Sequence, residues 1–273
     1  MTVEQYKIFS DFRSEFRSYC ADLALKFGGI LRPLQKSAGE KDTPEYKIEN
    51  PVVYNTALDE ISEKSEIKLI VIGDNPGKDE QLDKNQKYLV GQSGKIAAGF
   101  FKNHCEFGVD FRKNAIILNK TPLHTAKTKH LKILASLGGE KIRNLIDESQ
   151  IWMAKKTAEL HIGLCRQKSP ETFRCAGKIE TPEDDFAGLV KPELFLVGYS
   201  ELKKNGIFSL YRDELKKNYG NGSFDEWKSV FVFQHFSMNR FSIDLKNFMS
   251  ENAGLGIVAA ARELGEIHKN EIF

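Results

Sequence analysis

Two rhythms of apolar and polar positions run along this 273-residue chain. Near its start, Tyr6, Phe9, Phe12, Phe16, Tyr19 and Leu23 recur every three or four residues with charges between them, and Gly28-Gly29 follows. That spacing predicts an amphipathic helix over about 3–27 with its aromatic stripe on the core. Prolines, charges and few apolar positions from about Arg32 to Pro51 predict an irregular connection over the surface.

Further on, short continuous apolar runs replace the helical spacing. Leu69-Ile70-Val71-Ile72, Ala115-Ile116-Ile117-Leu118, Leu194-Phe195-Leu196-Val197 and Val230-Phe231-Val232-Phe233 are brief and do not alternate. They predict strands buried on both faces, as in parallel sheets. Helical sequence lies between them. One stretch begins at Ser93, the expected N-cap, with Ile96, Phe100 and Phe101 on one face, and another spans about Glu140 to Leu164. Residues from Cys165 to Pro192 predict a long irregular excursion. Strands alternating with helices define an α/β fold, expected as a three-layer αβα sandwich around a mostly parallel, roughly four-stranded central sheet.

Charge changes this picture only locally. Lysine plus arginine (40) nearly balance aspartate plus glutamate (38), so nothing in the total demands a nucleic acid. From Phe111 to Gly139, however, no acidic residue occurs, while Arg112, Lys113, Lys120, Lys127, Lys129 and Lys132 are cationic, a one-signed stretch that suits a polyanion. Cys20, Cys105, Cys165 and Cys175 are scattered without C-x-x-C spacing, which argues against a zinc ribbon and fits a reduced compartment. No run of eighteen apolar residues and no basic-then-apolar leader occurs, so a cytoplasmic protein with no membrane partner is expected.

The chemistry-bearing residues cluster where the strands end. The first strand runs into Gly73-Asp74-Asn75-Pro76-Gly77, the second into Asn119-Lys120-Thr121-Pro122-Leu123-His124, and the fourth into Gln234-His235-Phe236-Ser237-Met238-Asn239-Arg240. Ligands of open α/β sheets bind at this rim. No G-x-G-x-x-G or G-x-x-x-x-G-K-[ST] follows the first strand, which disfavours a small-molecule nucleotide enzyme.

Together these turns resemble the uracil-DNA glycosylase superfamily. Gly73 to Gly77 looks like the G-[MI]-N-P-G turn of its single-strand-selective and mismatch-specific branches and the G-E-A-P-G turn of its thermostable branch. Tyr88-Leu89-Val90-Gly91-Gln92-Ser93-Gly94 is similar to the thermostable P-F-V-G-R-[AS]-G. Asn119 to Leu123 resembles N-x-C-P-L, and His235 to Asn239 resembles H-P-S-P-x-N. The resemblance covers about Lys68 to Ala260, leaving an unmatched insertion over about 128–192 within a single domain expected to span residues 1–273. Leu89 stands where the thermostable branch has a base-stacking phenylalanine, and Phe236 replaces the usual proline. The paired cysteines of the iron–sulfur branches are missing, so no cofactor and no metal are expected.

The resemblance implies hydrolysis of the N-glycosidic bond of uracil or a related damaged base in DNA. His235 would donate to the pyrimidine O2 of the departing anion. Asp74 would orient or deprotonate water and stabilise the sugar cation, with Asn75 as an uncharged alternative. Asn119 would read the base by giving a proton to O4 and accepting one from N3, with Gly73, Pro76, Tyr88 and Leu89 completing the substrate pocket. Ser93, Lys120, Ser237, Met238, Asn239 and Arg240 would grip the DNA backbone or fill the gap left by a flipped nucleotide. A monomer is expected. Leu89 and Phe236 keep open a second class, a protein of the same fold that binds nucleic acid or a nucleobase without cleaving it.

Overall fold

The computed structural model describes residues 1–166 and 191–273, so nearly all of the expected excursion over 165–192 lies outside the described residues. Strands β1 (Leu69–Gly73), β2 (Ala115–Asn119), β3 (Glu193–Val197) and β4 (Val230–Phe233) form one sheet in the order β2-β1-β3-β4, parallel throughout. Every strand residue is buried except Glu193 at an entrance, which is why these segments read as unbroken apolar runs.

The helices are α1 (Val3–Gly39), α2 (Gln92–Asn103), α3 (His130–Cys165), α4 (Tyr199–Leu202), α5 (Ser209–Asn218), α6 (Arg240–Glu251) and α7 (Ile257–Ile272). They cover the sheet in an α/β/α sandwich. α3 packs on both α1 and α5, and α7 packs on α6 and β4. An aromatic seam, Phe100 to Phe241 at 4.9 Å and Phe233 to Phe241 at 5.0 Å, joins α2, α6 and β4. None of the helices among the described residues is long and apolar enough to cross a membrane.

Three local expectations change. α1 does not stop at Gly28-Gly29 but continues through Pro33 to Gly39. Tertiary contacts override the stop signal: Leu31 is fully buried, and the buried Gln35 amide donates to Pro51 O and His124 O, both at 2.8 Å. Ser93 is not the N-cap of α2; Gly91 is, with no capping side chain, and Ser93 lies in the first turn. Much of the presumed insertion is α3, broken at Gly139 (φ 65°, ψ −157°), whose Leu131, Leu134, Leu145, Met153 and Leu160 belong to the core.

The register decides where the functional residues meet. Gly73 lies beside Asn119, Ile72 beside Leu196, and Val197 beside Phe233, so all four strands end at one level. After β1 the chain goes to one side for β2 and then crosses to the other for β3. The carboxyl ends of β1 and β3 therefore flank a topological switch point, where the departing connections leave a crevice.

Candidate functional site

A cavity of about 490 Å³ opens at that switch point. The buried Asp74, Asn119 and Gly198 form its inner part, Asn75, Glu80, Leu89 and His235 contribute further lining, and the exposed Met238 and Arg240 stand at its mouth. Ser93, Thr128, Glu201 and Ser237 also line it. Residues from all four strand ends, separated by up to 166 positions in sequence, thus share one concave space.

Asp74 is only 7 % exposed. Its Oδ1 accepts from Lys120 Nζ at 2.6 Å and its Oδ2 from Thr128 Oγ1 at 3.1 Å. The close approach of β3 makes glycine necessary at its end: Gly198 has φ +98°, and a Cβ there would strike Asp74 Oδ1 and come within 3.2 Å of Lys120 Nζ. Thr128 is held in place by its own loop, because Lys127, Lys129 and His130 all pair with Asp42 beyond the end of α1. Those partners hold the Asp42 carboxyl well below the usual carboxylate range, the Lys129 and His130 hydrogen bonds contributing most.

Asn75 lines the cavity, but its amide NH2 belongs to the turn, donating to Thr125 Oγ1 at 2.9 Å and to Leu123 O at 3.3 Å. Only its carbonyl oxygen remains for positioning water. Asn119 differs. It is 2 % exposed and its Nδ2 has no partner among the described residues, leaving a buried donor at the cavity. A buried donor left unpaired costs about 1–3 kcal/mol, which a ligand acceptor would recover. Gly73 makes room for it, since a Cβ at that position would collide with Asn119 Oδ1.

His235 has a defined tautomer. Its Nδ1 accepts from the Ser237 backbone N–H at 3.0 Å and lies 2.8 Å from Ser237 Oγ, so the neutral ring carries its proton on Nε2. Burial lowers its pKa below the ordinary histidine value; Asp74 works against that shift, and Lys120 and Arg240 reinforce it. The ring is therefore a neutral N–H donor at pH 7.

Several predicted residues are placed elsewhere. Lys120, expected on the DNA backbone, is fully buried beneath the site. Burial pulls its pKa down, chiefly against the pull of Asp74. Tyr88 is 1 % exposed and its hydroxyl donates to Val53 O at 2.6 Å, so it is a core residue and not a base-stacking one. Gly73, Pro76 and Asn239 shape the turns without lining the cavity. The basic stretch is partly paired: Arg112 donates to Leu89 O at 2.5 Å, and the exposed Lys113 pairs with Asp110 at 3.7 Å. Phe236 is a core side chain, 5.0 Å from Phe241 and edge-on to Phe111, which accounts for an aromatic residue in place of proline.

Sequence reading missed Glu80. Its buried carboxyl accepts from Gly77 N at 3.2 Å and Leu89 N at 3.0 Å, bracing the first turn against the Leu89 loop. Leu89 needs that support because it adopts φ +52°, which a non-glycine side chain rarely does. Burial raises the Glu80 pKa to about 7, outweighing the two backbone bonds that lower it. Nothing in the charged run from Lys78 to Lys87 distinguishes this glutamate. Its position three residues after Gly77 is a weak turn signal at most. Among the described residues no three His, Cys, Asp or Glu side chains are grouped so as to hold a metal ion.

Compared with known proteins, the chain matches no family model, no curated protein and no solved structure.

Proposed function

We propose that the protein is a DNA glycosylase of the uracil-DNA glycosylase type, hydrolysing the N-glycosidic bond of uracil or a related base. The observation that carries this reading is the convergence of Asp74, Asn119 and His235 on one cavity. Cleavage of the bond builds positive charge on the sugar and negative charge on the base. A carboxylate answers the first, and a neutral N–H donor in a preorganised pocket answers the second. His235 Nε2–H donates to the pyrimidine O2. The unpartnered Asn119 Nδ2 donates to O4, and its Oδ1 accepts from N3–H; cytosine presents the reverse pattern and leaves buried groups unpaired. Asp74 faces the sugar and stabilises its cation, while water attacks the anomeric carbon.

To reach a cavity this deep, the nucleotide must leave its stack. Met238 is 77 % exposed at the mouth and sits, with Asn239, in a left-handed turn (φ 55° and 56°), a projecting apolar side chain suited to fill the gap. Arg240 and the free amides at the start of α2 beside Ser93 supply phosphate contacts. A second reading, base binding without cleavage, is favoured by one feature: Leu89 lines the cavity where the thermostable branch has a stacking phenylalanine.

The deciding experiment is an alkali-developed strand-cleavage assay on single-stranded and duplex oligonucleotides containing uracil, hypoxanthine or xanthine. Cleavage by the wild type that is lost in His235→Ala supports the glycosylase. Binding without cleavage of any base supports the second reading, and neither binding nor cleavage rejects both.

A further inference from the structure

Lys120 is a buried charge that the glycosylase reading leaves without a part. Its side chain has no exposed surface, which rules out a phosphate contact. The ammonium donates to Asp74 Oδ1 and Val197 O, each at 2.6 Å, and to Gly73 O at 3.3 Å. Three acceptors match the three N–H bonds of a protonated lysine, and the Phe208 ring lies 4.9 Å from the nitrogen. To act as a nucleophile it would have to lose a proton, and with it one of these three hydrogen bonds.

Those partners have a common location. Gly73 and Val197 end β1 and β3, the two strands that flank the switch point, and Lys120 itself follows the last residue of β2. One side chain thus ties three strand ends together at the floor of the site. It engages one oxygen of Asp74 and leaves the other to Thr128, a cavity-lining residue. In a water-poor site an isolated carboxylate would repel an anion strongly, whereas a carboxylate paired with an ammonium at contact distance presents little net charge.

We infer that Lys120 is a positioning residue: it locks Asp74 in one orientation and cancels its charge toward the base pocket, so that an anionic base can form and depart beside the site's own carboxylate. The identity of the departing group rests on the glycosylase reading above, but the clamp does not. Asp74 Oδ2, which Lys120 does not engage and Thr128 holds at the cavity, is the oxygen left to face the sugar.

The test uses the full-length protein with Lys120→Met, Asp74→Asn and the double variant. Thermal unfolding is followed in all four proteins, together with single-turnover cleavage of single-stranded oligonucleotides bearing uracil or 5-fluorouracil. The fluorinated base is the more acidic and so the better leaving group. Lys120→Met is expected to lower the unfolding midpoint most, and the double variant to regain part of the loss, because removing one partner strands a buried charge while removing both does not. Lys120→Met should also slow uracil release more than 5-fluorouracil release, changing the ratio of the two rates by about tenfold. A double variant whose midpoint falls by the sum of the single losses, or equal slowing of both bases, overturns the inference. If the wild type cleaves neither base, the glycosylase reading fails and the unfolding comparison alone decides for or against the clamp.

Discussion

Gly198 and Asp74 compete for the same space: a methyl group on Gly198 would overlap Asp74 Oδ1, so the carboxylate keeps its position only because the residue that follows β3 has no side chain. The backbone there is also left-handed, at φ +98°. Gly198→Ala therefore combines backbone strain with overpacking, and is expected to destabilise the protein by about 2–4 kcal/mol. Because the displaced group is Asp74, cleavage should fall further than the lost stability explains, even at temperatures where the variant stays folded. Chemical denaturation alongside the cleavage assay checks both. A stable variant with full activity would show that Asp74 need not hold this position.

His235 acts as a neutral donor in the proposed reaction, and burial holds its pKa below the ordinary histidine value. Cleavage governed by this group should stay flat between about pH 6.5 and 8, with no half-point at the ordinary histidine value of about 6.5. His235→Ala should cost about a hundredfold to a thousandfold in single-turnover rate. Ser237→Ala should cost little, because the backbone N–H at that position still holds Nδ1 as an acceptor. A rate that drops as the pH passes through 6.5 would mean that the proton sits on the ring differently.

Asn119 carries the base preference in this scheme. Asn119→Asp replaces the unpartnered Nδ2 donor with an acceptor and should weaken uracil cleavage by about a hundredfold, comparable to losing a buried specificity hydrogen bond. Competition between uracil and cytosine oligonucleotides measures the change. An unaltered preference would remove Asn119 from base reading.

The strands and the rim were legible because their signals are local. A strand buried on both faces writes itself as an unbroken apolar run, and parallel strands whose register aligns their ends bring the residues after each run to one edge, which is how Asp74, Asn119 and His235 come together. What faces a residue across the fold is not written locally. The spacing that exposed the turn after β2 could not show that Lys120 points inward onto Val197, 77 positions away. Nor could it show that Tyr88 turns to Val53, or that Lys127 and Lys129 share the one carboxylate of Asp42. The helix stop at Gly28-Gly29 failed for the same reason, since Gln35 is held by carbonyls from two distant segments.

Met238 separates stability from function. Its φ of +55° is unfavourable for a methionine and its side chain is largely exposed. Met238→Gly removes both the strain and the side chain, so the folded state should remain within about 1 kcal/mol of wild type. If the side chain fills the gap left by a flipped base, affinity for duplex DNA should fall by roughly fivefold or more, with a smaller effect on single strands, which have no partner stack to fill. Equal affinities for both substrates in wild type and variant would take Met238 out of the interface.

The buried titratable groups set opposing limits on stability. His161 is fully buried, with Nδ1 2.6 Å from the Tyr219 hydroxyl and Nε2 3.0 Å from Pro192 O, an arrangement that satisfies the neutral ring. Burial lowers its pKa to about 4, and that of His124, bonded to Pro76 O, also to about 4. The unfolded chain takes up these protons first, near pH 6.5, so the stability each contributes is complete above that value and is lost as the pH falls toward 4, up to about 3 kcal/mol per ring. Glu80 works in the other direction. Its pKa is raised to about 7, so its contribution is complete below the unfolded value near 4.5 and is lost as the pH rises to 7. Urea unfolding between about pH 4 and 8 should therefore show stability falling steeply on the acid side and a broad maximum near neutrality, where the Glu80 loss offsets the last of the histidine gain. His161→Gln can still donate to Pro192 O and accept from Tyr219, and should flatten the acid limb. An acid limb as steep in this variant as in wild type would mean that the ring is not held neutral in the folded protein.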